Sequence, residues 1–134
     1  MVTRGPTTVG AHRLRWFALV RRGAIHVVNL EPSKSGEANK RRPAVIVSND
    51  GANAVAERTG QGVITVVPVT SNISNVYPFQ VLLPASVTGL EHDCKAQAEQ
   101  VRSISVERLG HAIGEVPQNL MAELDEALRL HLAL

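Results

Sequence analysis

Residues 43–49 read Pro-Ala-Val-Ile-Val-Ser-Asn, and residues 62–70 read Gly-Val-Ile-Thr-Val-Val-Pro-Val-Thr. Both are short, apolar and rich in β-branched side chains, which stiffen χ1 and favour a pleated backbone. Residues 43–49 read as a buried strand and residues 62–70 as the third strand. Pro68 has no N–H to donate to a ladder and is expected at an edge or a bulge.

Working outward, Ile25, Val27, Val28 and Leu30 make a first strand. Asn49-Asp50-Gly51 reads as a turn. Tyr77–Leu83 predicts a fourth strand, with Pro78 again suggesting an edge. Cys94–Ser105 reads as one or two strands around Gln97–Arg102. Ser105–Leu109 predicts one helical turn stopped by Gly110, and Ala112–Val116 a last short strand. Leu120, Leu124, Leu128 and Leu132 recur every four residues after Pro117, which predicts an amphipathic helix. Five or six short strands with one packed terminal helix predict a mainly β fold with minor α: a small, bent antiparallel barrel.

The chain has 134 residues, enough for one domain with a modest core. Residues 1–19 contain Gly5, Pro6 and Gly10 and are expected to be a poorly ordered N-terminal extension, with residues 20–134 as the folded domain. The formal charge is +2, but residues 1–22 hold five arginines and no acid. The remainder carries 9 basic against 12 acidic residues, so overall basicity is no argument for a nucleic-acid surface. Cys94 is alone, which excludes an intrachain disulfide and a cysteine zinc site. No run approaches the ~20 apolar residues of a membrane helix, and a soluble, cytoplasmic protein is expected. His12, His26, His92, His111 and His131 are scattered, and His92-Asp93 has no neighbouring ligand to complete a site, so neither a metal nor another cofactor is expected.

Two stretches carry the chemistry. Residues 33–42, Ser-Lys-Ser-Gly-Glu-Ala-Asn-Lys-Arg-Arg, place Lys34, Lys40, Arg41 and Arg42 against one acid, Glu37. A solvated loop without a role is the plain alternative. Arg42 stands out because Pro43 biases its backbone toward the extended region. A guanidinium fixed there offers a planar fork to a phosphate. Thr70-Ser71-Asn72, at the end of the third strand, presents short hydroxyl and amide groups suited to an oxyanion, or else a simple polar turn.

These stretches and their surroundings resemble the MazF/PemK toxin family. The matching pieces are Arg22-Gly23, Ser35-Gly36-Glu37, Arg42–Asn49, Val67–Ser71, Tyr77-Pro78-Phe79, Gln100–Ile104 and the terminal leucine helix. Cys94–Gln100 is similar to actinobacterial members in particular. The resemblance implies an SH3-like barrel of the CcdB–MazF type, a symmetric homodimer, and metal-independent, sequence-selective cleavage of single-stranded RNA to 2′,3′-cyclic phosphate and 5′-hydroxyl ends. It also implies a MazE-like antitoxin partner, with DNA reached only through the antitoxin complex. The family's catalytic arginine and threonine fall on Arg42 and Thr70, and its base-contacting glutamine on Gln100. Gly23-Ala24-Ile25-His26 departs from the usual pattern, in which an acid follows the glycine and a tryptophan lies two residues further on.

On physical grounds Arg42 would stabilise the phosphorane and could protonate the leaving oxygen, Thr70 would hold a non-bridging oxygen, and Ser71 would assist. An arginine is a poor general base, since its ordinary pKa lies above 12; Glu37 is a candidate to accept the 2′-proton. Lys34, Ser35, Gly36, Lys40, Arg41 and Asn72 are expected to contact the RNA beside Gln100, the cations by positioning its backbone. Two other functions fit the same fold: a CcdB-like gyrase poison, and a non-enzymatic SH3-like module binding RNA or protein.

Overall fold

The computed structural model describes residues 20–30 and 41–134. The extension 1–19 and the loop residues Lys34, Ser35, Gly36, Glu37 and Lys40 lie outside them. Among the described residues, seven strands appear in the order β1 (Ala24–Asn29), β2 (Arg41–Ile46), β3 (Val63–Thr70), β4 (Gln80–Leu83), β5 (Cys94–Gln97), β6 (Arg102–Ser105) and β7 (Leu109–Glu115), with three α-helices, α1 (Asp50–Thr59), α2 (Ala85–Thr88) and α3 (Gln118–Leu132).

All pairings are antiparallel, and the path runs β4-β5-β3-β2-β1-β7. β3 is the hub. One edge bonds β2; the other bonds β6 along Val63–Val66 and β5 at Val69–Thr70. A 3₁₀ turn at Ala98–Gln100 separates β5 from β6. Pro68 therefore lies in the central strand rather than at an edge. It falls where β3's second edge passes from β6 to β5, an interruption that tolerates a missing N–H. Pro78 precedes β4, which is an edge strand.

The contiguous apolar runs are explained by two cores. Val45, Val67 and Val69 face a cluster completed by Leu83, Ala96 and the helix residues Met121, Leu124 and Ala127. Ala44, Ile46, Ile64 and Val66 face a second cluster with Val20, Val28, Ala56 and Ile104. Neighbours along a strand point to opposite faces, so a strand covered on both must be apolar at every position. Ala44, Val45 and Ile46 are indeed fully buried.

The sheet does not close on itself, because β4 and β7 end the path without pairing. The α2–Gly89 corner backs onto β7 instead. A Cβ at Gly114 would lie 2.5 Å from the Thr88 carbonyl oxygen, so only glycine admits this approach.

Three further sequence expectations change. Asn49-Asp50-Gly51 does not end in a turn but starts α1, with the Asn49 side chain accepting from the Ala52 N–H at 2.8 Å. The helical turn after Ser105 is a 3₁₀ turn, Val106–Arg108, and Gly110 continues into β7 rather than stopping it. The leucine stripe of α3 is graded: Leu124 is fully buried, Leu120 and Leu128 pack partly, and Leu132 is exposed.

Candidate functional site

Arg42 and Thr70 come together because of the β2–β3 register. The last paired residues are Ala44 and Pro68, and continuing the ladder by two sets Arg42 across from Thr70. Both line one open cavity of about 560 Å³, with Pro43, Val69 and Ser71 beside them. Arg42 is exposed and its guanidinium has no hydrogen-bond partner among the described residues, so its fork is available to an anion. The Thr70 oxygen accepts the Asn72 N–H at 3.2 Å, which orients the side chain and leaves its own O–H to donate. Asn72 in turn accepts from the Ser74 N–H at 3.2 Å and the Ser74 hydroxyl at 2.9 Å, bracing the turn that carries Ser71.

The cavity is also lined by a segment that the sequence singled out only for His92-Asp93, as a metal pair with no neighbour to complete it. After α2, Gly89 takes φ +87° and turns the chain over the cavity. Leu90 and Cys94 are buried, and between them Glu91, His92 and Asp93 are exposed. Glu91 and His92 line the cavity with Arg42 and Thr70. Asp93 turns away and accepts the Ala85 N–H at 2.8 Å, tying the loop to α2. The Cys94 thiol donates to the His92 carbonyl oxygen at 3.3 Å. Burial, and then the neighbouring Asp93 carboxylate, push that thiol above its ordinary pKa, so it stays protonated at neutral pH. The sequence signal for His92 lay in His92-Asp93, weighed only as a metal pair. Among the described residues no three His, Cys, Asp or Glu side chains are grouped to hold a metal ion.

Two expected RNA contacts stand apart from the cavity. Arg41 points to the other side of β2, as strand alternation requires. It lies against β7 in a depression shared with Asn29, Glu107 and Arg108, where a Cβ on Gly110 would be 2.9 Å from its guanidinium. Gln100 ends the 3₁₀ turn between β5 and β6; it is exposed and does not line the cavity.

Residues 21–132 match the family described as PemK-like, MazF-like toxin of type II toxin-antitoxin system. The chain is 65% identical over 116 residues to endoribonuclease MazF9 of Mycobacterium tuberculosis, covering 87% of this chain and 98% of that protein. Its fold matches MazF from Deinococcus radiodurans with a TM-score of 0.68 and 28% identity, over 87% of this chain and 98% of that one. The same toxin in a MazE–MazF structure matches with a TM-score of 0.64. These similarities do not favour the gyrase poison or the binding module. The chain belongs to the PemK-like, MazF-like toxins of type II toxin–antitoxin systems.

Proposed function

We propose that this MazF-type endoribonuclease toxin cuts single-stranded RNA without a metal, at the cavity lined by Arg42 and Thr70. The observation that carries the reading is the convergence of a guanidinium and an alcohol from neighbouring strand ends on one open cavity. The ribose 2′-oxygen attacks the adjacent phosphorus in line, and negative charge grows on the non-bridging oxygens. Arg42 stabilises that charge and Thr70 donates its O–H to one of the oxygens, while Ser71 lies close enough along the chain to assist. The products are a 2′,3′-cyclic phosphate and a 5′-hydroxyl.

The described residues include no helix long and apolar enough to cross a membrane; the proposed place of action is the cytoplasm. MazF toxins of known structure form complexes with MazE antitoxins. We propose the same kind of partner here, seated over the Arg42 cavity and the basic loop before it, with the toxin as a homodimer. DNA is reached only through that complex.

The test is cleavage of total RNA in EDTA by the purified protein, with sequencing of the new 5′ ends. The wild type is expected to leave 5′-hydroxyl ends at a defined motif. Arg42→Ala is expected to lower the rate by about 10²–10³-fold with its thermal unfolding unchanged. RNA left intact by the wild type, or an Arg42→Ala variant of full activity, overturns the assignment.

A further inference from the structure

Metal-free phosphoryl transfer to a 2′-hydroxyl leaves one demand that Arg42 and Thr70 meet poorly: the departing 5′-oxygen is strongly basic and needs a proton. A donor works best when its pKa lies near the operating pH. Guanidinium, with an ordinary pKa above 12, is a reluctant donor. The Cys94 thiol is buried, already donating to a carbonyl, and held above its ordinary value. Glu91 is a carboxylate, and carboxylates are ordinarily ionised at neutral pH.

That leaves His92. Imidazole is the one side chain whose ordinary pKa places it between acid and base near neutrality. Its position is built rather than incidental. Leu90 and Cys94 are anchored in the core on either side of it, Gly89 supplies the left-handed turn, and Asp93 bonds the Ala85 N–H. Among the described residues, the titratable and charged groups lining the cavity with it are Arg42 from β2, Glu91 from its own segment and Cys94 from β5; the neutral Thr70 ends β3 with Ser71 just after it, and β7 adds the apolar Ile113.

We propose that His92 is the general acid of RNA cleavage, protonating the leaving 5′-oxygen; this rests on the active-site reading above. The 2′-oxygen bonds to phosphorus and its proton passes to solvent water. The bond from phosphorus to the 5′-oxygen breaks, and that oxygen takes the ring N–H proton of the imidazolium. Neutral His92 then regains a proton from water.

The experiment uses an oligonucleotide carrying the mapped motif, made with either oxygen or sulfur at the bridging 5′ position. A thiolate, whose conjugate acid has an ordinary pKa near 8.5, leaves without a proton donor. His92→Gln is expected to slow cleavage of the oxygen substrate by about 10²-fold or more while cutting the sulfur substrate within about threefold of wild type. His92 is exposed, so the variant should fold as the wild type does. A variant that cuts the oxygen substrate at near wild-type rate overturns the proposal. So does an equal loss on both substrates, which would mark His92 as a binding or positioning residue. A wild type that cuts neither substrate would sink the active-site reading itself, a separate outcome.

Discussion

Cys94 shows how a thiol can line the proposed site and still be unreactive. Its Sγ is nearly buried at the start of β5, donates to the His92 carbonyl and sits beside Asp93. Burial and the carboxylate both oppose the thiolate, which is the nucleophilic form. Alkylation by iodoacetamide at pH 7 is therefore expected to be several-fold slower in the folded protein than in urea, and to accelerate only well above the ordinary thiol range. Equal rates folded and unfolded would contradict this. Thr70 is the opposite case. Its oxygen is braced by the Asn72 N–H, yet its hydroxyl hydrogen remains to be given away.

At the scale of the element, α1 is held by a buried polar residue rather than by an apolar stripe. Asn53 is fully buried, donates to the Ser48 carbonyl at 2.9 Å and to Asp50 at 3.1 Å, and accepts from the Ser48 hydroxyl at 2.6 Å. The same hydroxyl oxygen accepts the Thr65 N–H at 3.1 Å, so the network stitches α1 to β3. Removing the amide strands these partners. Asn53→Ala is expected to lower unfolding free energy by about 1–3 kcal/mol, read from urea titration. Val55→Ala, on the exposed face of the same helix, is expected to change it by less than about 0.5 kcal/mol. A silent Asn53→Ala would mean the network contributes little.

At the scale of the molecule, two adjacent arginines fasten the entry of β1 to distant elements. Arg22 pairs with Asp125 on α3 and donates to the Val47 carbonyl at 2.9 Å. Arg21 pairs with Glu115 at the end of β7 at 2.7 Å. The Arg21 hydrogen bond holds the Glu115 carboxyl below its usual range, and Glu115 raises the guanidinium in return. A depressed carboxyl stabilises the fold above the unfolded carboxylate range, and the contribution fades as pH falls through the lowered value. The difference in melting temperature between wild type and Glu115→Gln is thus expected to be constant above about pH 5 and to shrink below about pH 4. Both side chains are about half exposed, so the effect should be small and weaken further with salt. A difference that grows on acidification would reverse the sign of this account.

The local chemistry of the chain was enough to find most strands, the terminal helix and two residues, Arg42 and Thr70, that line one cavity. β-branched runs buried on both faces, a fourfold leucine period and an arginine before proline are short-range signals that need no partner to be read. Helix α1 escaped because only Asn53 and Ala56 of its ten residues are buried, too few to write a period into the sequence. Tertiary structure alone decided which residues meet. The β2–β3 register set Arg42 across from Thr70, strand alternation sent Arg41 to the other side, and the turn at Gly89 brought His92 over the cavity. Sequence carries the kinds of groups a site needs; pairing over long separations sets which of them share a space.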